Sequence, residues 1–284
     1  MKGIKQKTFL LYYLTIVTIA CFFVGLLQSS IKVNIGIVLL IVFAAALPVT
    51  FIILKIMYMA EMSKPYAKLH KDFMNEIWTN GYTDKVREIG EYAIYVHRNE
   101  SHIDFPFIAD FVLYLSDYYN LTGQYGKTFP LIWILNRNEL ASRGYRLLDG
   151  GYYILMYYAV WMEACRGVKN REMAQQIIEE GRPFLDKKFK QDIFAMTADY
   201  IAYNYYMIVE DYGMAVRCVD KLMSYQSLQA YKFFTRYYAA AEINVVFGNK
   251  EKARKILEQG KKMAGENLAV VCQSFEVYRL RLGL

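Results

Sequence analysis

The chain has 284 residues, of which 55% are hydrophobic and 16% aromatic, with 26 Tyr against 3 Trp. Five Pro and 17 Gly are too few for a loop-rich or disordered polypeptide. The net charge is +7, but acidic residues are mixed in beyond residue 70, which argues against the one-sided basic face of a nucleic-acid binder. The excess fits membrane topology and attraction to anionic head groups.

The apolar excess is concentrated at the start. Thr8 to Gln28 carries no charge, and neither does Asn34 to Leu54. Each run is about 21 residues, which at ~1.5 Å per residue matches a ~30 Å hydrocarbon core. Only Ser29 to Val33 separates them, so residues 1–61 are expected to form a transmembrane hairpin spanning about 8–28 and 34–54. Pro48 falls inside the second helix, where a kink is tolerable. Lys2, Lys5 and Lys7 precede the hairpin, Lys55, Lys64, Lys68 and Lys71 follow it, and the turn holds Lys32 alone. The positive-inside rule then gives a multi-pass inner-membrane protein with both termini cytoplasmic. Tyr12, Tyr13, Tyr58 and Tyr66 are candidate interfacial anchors. A cleaved signal peptide is the rival reading of the first run, with Thr18 to Cys21 as a poor cleavage box. The second span that follows at once argues against it.

From residue 62 to residue 284 the pattern is helical throughout. Lys64-Pro65 is expected to break the second membrane helix from the next one. Then a unit recurs: Gly81 precedes Val86, Gly90 and Ala93; Gly123 precedes Thr128, Ile132 and Leu135; Gly167 precedes Ala174, Ile178 and Gly181; Glu210 precedes Ala215, Val219 and Leu222; Gly248 precedes Ala253, Leu257 and Gly260. Offsets of four and three place each trio on one helical stripe. The first positions (86, 128, 174, 215, 253) are 42, 46, 41 and 38 residues apart. Tyr152 to Met162 is apolar on nearly every side, as an inner helix of a stack would be. Asn267 to Leu284 reads as a capping helix, with Arg279 and Arg281 complementing its dipole.

At Tyr237, Ala241, Gly248, Ala253, Leu257 and Gly260 the chain resembles the tetratricopeptide repeat. Glu210-Asp211-Tyr212-Gly213-Met214-Ala215-Val216 is similar to that family's turn, with Glu210 in place of a glycine. The resemblance covers roughly residues 65–284, although the family's period of ~34 residues is shorter than the spacing here. The expected fold is all-α: the transmembrane hairpin, then an α-solenoid of about five irregular helix pairs, then the cap. The resemblance implies a peptide groove lined by first helices, with Tyr200, Asn204, Met207, Ile208, Tyr238, Glu242, Val245 and Val246 facing it. The family's carboxylate clamp is not carried over, because no convincing basic set accompanies Asn204.

No catalytic constellation stands out. There is no GxxxxGK[ST], GxGxxG, HExxH or GxSxG, so neither enzyme nor cofactor is expected. His97 and His102 are five apart, about 140° round a helix, so with Glu100 and Asp104 they read as a solvated loop and not a metal site. His70 reads as an interfacial polar residue. Arg137, Arg143 and Arg146 read as a solvated basic loop. Cys21, Cys165, Cys218 and Cys272 show no CxxC spacing and read as free, buried thiols in a reducing compartment. The expected role is a membrane-anchored scaffold or recruiter with a protein or peptide partner in the groove and the bilayer as its second contact. The alternatives are an integral subunit of a transport or immunity complex, or an enzyme with an unrecognised site.

Overall fold

The computed structural model describes residues 12–19, 21, 35–62, 66–143, 151–186, 192–226, 234–265 and 269–284. All regular structure among them is helical. The chain divides into two units, Met1–Lys68 and Leu69–Leu284.

In the first unit, residues 12–19 and 21 are helical, and α1 runs from Ile35 to Met62 through Pro48. The Tyr13 hydroxyl donates to the Phe43 carbonyl at 3.2 Å, pairing the two segments. Ala46, Thr50 and Leu54 are the covered stripe of α1, at four-residue steps, and Val17 is covered opposite. The Thr50 hydroxyl is satisfied by the Ala46 carbonyl at 2.7 Å. Leu14, Ile19, Phe43, Leu47, Val49, Phe51, Ile52, Ile56 and Met59 are all exposed. Among the described residues no helix is long and apolar enough to cross a membrane. The expected span 8–28 lies mostly outside the described residues, as does Lys64-Pro65.

Among the described residues the second unit forms five helical hairpins. They are α2 (Ala67–Asn80) with α3 (Asp84–Asn99), and α4 (Phe107–Leu121) with a short second arm, a 3-10 turn at Tyr125–Lys127 leading into α5 (Thr128–Ile132). A separate helix, α6 (Arg137–Arg143), follows. Then come α7 (Tyr152–Gly167) with α8 (Arg171–Leu185), α9 (Asp192–Val209) with α10 (Tyr212–Ser224), and α11 (Thr235–Val246) with α12 (Lys250–Ala264). The last helix is α13 (Ala269–Arg281).

Every hairpin turn uses one left-handed residue: Gly81, Gly123, Lys169, Glu210 and Gly248, with φ of 81°, 77°, 55°, 65° and 79°. In the last four turns the following N–H bonds back to a carbonyl five residues earlier: Gln124 to Tyr119, Asn170 to Cys165, Asp211 to Tyr206, Asn249 to Asn244. That is the Schellman closure, and it satisfies carbonyls which the helix end leaves free. Thr83, Asn170 and Asp211 then cap the next helix by accepting from Val86, Met173 and Met214. The third turn corrects the sequence reading. Gly167 is helical, and Lys169 makes the turn. Gly167 is small for another reason, since a Cβ there would meet the Tyr125 ring at 2.3 Å.

Second helices bury one stripe each, as their periodicity requires: Val86, Gly90 and Ala93; Thr128 and Ile132; Ala215, Val219 and Leu222; Ala253, Leu257 and Gly260. The expected third member at α5, Leu135, is buried but lies in the bend beyond the helix end. In α8 the stripe is Ala174, Ile177 and Gly181, and Ile178 is only half-buried, so the expected Ile178 sits one residue off the seam. The first helix of the first hairpin buries only Ala67, Phe73 and Ile77, whereas the later first helices are more fully covered, with 154–162 of α7 entirely buried. They stack in order, α4 on α7, α7 on α9 and α9 on α11.

Candidate functional site: an inner chamber closed by the last helix

The stacked first helices present one polar position repeatedly. Asp117, Glu163, Asn204 and Glu242 each lie six residues before the left-handed turn residue of their hairpin. Being equivalent in the unit, they line one chamber of about 210 Å³. Asn120 and Arg166, three residues before their turns, join them, as do Tyr82, Tyr238, Tyr278 and Arg281.

The chamber is tied together by cross-helix bonds. Asn120 donates to the Val160 carbonyl at 2.8 Å and accepts from the Thr128 hydroxyl at 2.8 Å. Arg166 donates to Asn204 Oδ1 at 2.7 Å and forms an ion pair with Glu242. The Tyr203 hydroxyl donates to Glu242 Oε2 at 3.0 Å, and its ring lies under the Arg166 guanidinium. Tyr82 donates to Asp117 at 2.7 Å. Arg166 and Glu242 keep about a fifth of their side-chain surface exposed. Burial alone would lower the Arg166 pKa, but the neighbouring Glu242 carboxylate and Tyr203 outweigh it, so the guanidinium is held charged. Burial pushes Tyr200, Tyr203 and Tyr238 well above the usual phenol range, helped by Tyr278 at Tyr200 and Tyr238 and by Glu242 at Tyr203.

Of the expected groove residues, Asn204, Tyr238 and Glu242 line the chamber, and Tyr200 does not, its hydroxyl lying 3.3 Å from that of the lining residue Tyr278. Met207 and Ile208 do not line it, and neither do Val245 and Val246. Asp117, Glu163 and Arg166 were not anticipated. Groove positions were read only in the fourth and fifth hairpins, whereas Asp117 and Glu163 are the positions equivalent to Asn204 and Glu242 in the second and third, and Arg166 lies one turn further on.

One wall of the chamber is α13, which does more than cap the last hairpin. Phe275 packs on Tyr238 with centroids 4.8 Å apart, and Tyr278 stacks on Tyr238 at 4.3 Å. Arg281 donates to the carbonyls of Asn120, at 2.6 Å, and Leu121. Gln273 bonds both backbone groups of Tyr82. The last helix thus touches α4, α9 and α11 and the first hairpin's turn.

The remaining candidate positions are accounted for by local structure. Among the described residues no group of three or more His, Cys, Asp or Glu is placed to hold a metal. His97 Nδ1 accepts from the Ile103 N–H at 3.1 Å. Partial burial, with His102 and Arg98 nearby, lowers its pKa. His70 pairs with Asp110 at 2.8 Å against Phe107 and Phe111. Arg137 pairs with Glu180, and Arg146 lies outside the described residues. The four cysteines are free. Burial pushes the Cys165 thiol up to about 12 and that of Cys218 up to about 11.

No family profile, curated protein or solved structure matches the chain.

Proposed function

We propose that the protein is a membrane-anchored recruiter, in which a tetratricopeptide-like helical array binds a helical protein segment on the side lined by its first helices. The observation that carries the reading is the use already made of that inner side: it holds a helix, α13, through stacked aromatic rings and an arginine on helix-end carbonyls. A surface with those properties suits helix-in-groove recognition, in which a few anchors supply most of the affinity. Arg166 and Glu242 are paired with each other, Asp117 accepts from Tyr82 and Arg281 is held by backbone carbonyls, and among the described chamber residues no nucleophile–base–orienter constellation accompanies them, so binding is favoured over catalysis.

The anchor is proposed to be a two-span hairpin over about 8–28 and 34–54. Two things support it. The sequence is uncharged from Ile35 to Leu54. Large apolar side chains of α1 are exposed on the several sides left by the single stripe Ala46–Thr50–Leu54, an arrangement costly in water and stable in lipid. The basic flanks put the array on the cytoplasmic side of an inner membrane.

The test has two parts. A Ser30→Cys label should react only from the outside of intact cells. In a detergent extract, a partner captured by the full chain should be lost with Glu242→Gln combined with Asn204→Ala, and kept when residues 1–61 are exchanged for an unrelated two-span anchor. Capture indifferent to the chamber substitutions refutes the recruiter reading. Loss on exchanging the anchor favours a membrane component whose hairpin carries the function.

A further inference from the structure

We propose that α13 is a displaceable occupant of the inner side, and that the partner displacing it is a helical segment presenting a tyrosine followed three residues later by an arginine. This rests on the recruiter reading and specifies both its ligand and its control.

The argument begins with what α13 satisfies. The C-terminus of α4 leaves carbonyls without intrahelical partners and concentrates partial negative charge there. Arg281 supplies the donors, bonding the Asn120 and Leu121 carbonyls with one end of its guanidinium. The other face of that guanidinium lies 5.5 Å from the Tyr278 ring centre and 5.8 Å from that of Tyr125. Tyr278 fills the slot between α9 and α11, stacked on Tyr238 and near the Tyr200 hydroxyl. Tyrosine and arginine three residues apart lie on one helical face, so this spacing is what the slot and the carbonyls read.

Three further features fit an occupant. Its outward side is open, with Leu280 at 69% exposure. Its hydrogen bonds to the Tyr82 backbone in the first hairpin's turn come from one side chain, Gln273. It leaves unfilled the 210 Å³ chamber beside Tyr278, walled by Asp117, Glu163, Arg166, Asn204 and Glu242. A partner that also reaches those groups makes contacts α13 does not. Because α13 is tethered, it competes at an effective concentration on the order of millimolar, so a weak ligand stays out and a better one enters.

The probe is a fluorescent peptide of residues 267–284, titrated against the full chain in detergent and followed by anisotropy. The wild type should show no saturable binding at micromolar peptide. Gln273→Ala with Arg281→Ala weakens the internal helix only, and should bind the probe at least ~10-fold tighter, since each lost bond to a buried or charged group is worth roughly tenfold or more. A peptide with Tyr278→Ala and Arg281→Ala should not bind. Equal, absent binding by the double variant at wild-type helicity overturns the proposal. Should the double variant lose helicity, hydrogen exchange on the wild type decides: α13 amides at least ~100-fold faster than those of α9 support it, and equal protection overturns it. A probe that binds while the capture experiment stays indifferent to Glu242 and Asn204 leaves the occupant standing and removes the recruiter. Capture that depends on those residues with no probe binding does the reverse.

Discussion

The side-chain amide of Gln273 accepts from the Tyr82 N–H at 2.7 Å and donates to the Tyr82 carbonyl at 2.8 Å, joining residues 191 apart in sequence. The first hairpin turn has no i−5 closure like the other four. Its Gly81 N–H bonds Ile77, and the next N–H is completed from the far end of the chain. Tyr82 is buried, so removing the amide takes one bond from each of its two backbone groups. Gln273→Ala is expected to cost about 1–3 kcal/mol, seen in urea denaturation with helicity retained. A change under ~0.5 kcal/mol contradicts the role.

Gly260 marks the closest approach of α12 to α13. A Cβ there would meet Phe275 Cζ at 2.5 Å and Tyr237 Cγ at 2.7 Å. Both rings are themselves buried and have nowhere to move. Gly260→Ala should therefore lose about 1–3 kcal/mol by overpacking. Gly126, where nothing lies within 4 Å and φ is unexceptional, should accept alanine within ~0.5 kcal/mol. Thermal melts of the two variants check the contrast, and a tolerant Gly260 refutes the packing.

The turns give a paired prediction of opposite sign. Gly248 has φ 79° and open space around it, so Gly248→Ala meets only the backbone penalty, about 1–2 kcal/mol. Glu210 already bears that penalty at φ 65°, and its ion pair with Arg171 is exposed and worth little. Glu210→Gly should be stabilising by up to about 1 kcal/mol. Denaturation midpoints moving the other way would undermine the turn assignment.

Alkaline pH should unfold the array in a specific manner. Burial holds Tyr114, Tyr200, Tyr203 and Tyr238 protonated well above the usual phenol range, and Tyr157 is pushed up to about 12. A group with a raised folded pKa contributes stability that is full below its unfolded value, near 10, and is lost as pH rises through the folded value. Stability should be flat with respect to these groups up to about pH 10 and fall beyond it. Tyrosinate absorbance should rise in two stages, exposed rings near pH 10 and the buried set only as the helical CD signal is lost. A single smooth titration with CD unchanged contradicts the burial.

The parts of the fold visible in the sequence are those set by local periodicity. Ala253, Leu257 and Gly260 form a buried stripe because offsets of four and three share a face, and Gly248 turns because a glycine followed by Asn249 is a strong local signal. At the third turn Gly167 carries the same signal but stands two positions early for the stripe that follows, and the residue that turns, Lys169, is an unremarkable lysine. Ile177 and Ile178 could not be separated, since offsets of three and four from Ala174 both fall near the seam. Asn204, Tyr238 and Glu242 were found through the register of the two most family-like hairpins, and Asp117, Glu163 and Arg166 lie on the second and third hairpins, where the resemblance is weaker. Nothing local announces the closing contact: Gln273 is an ordinary polar residue on a helix, and its meaning depends on the curvature accumulated over five hairpins.

The most direct test of that closure is hydrogen exchange at the Tyr82 amide in the full chain, compared with Gln273→Ala. The closed arrangement predicts slow exchange in the wild type, since Gln273 is that N–H's partner, and exchange at least ~10-fold faster in the variant, with the amides of α9 unchanged. Identical Tyr82 exchange in the two proteins would contradict a last helix seated on the inner side of the array.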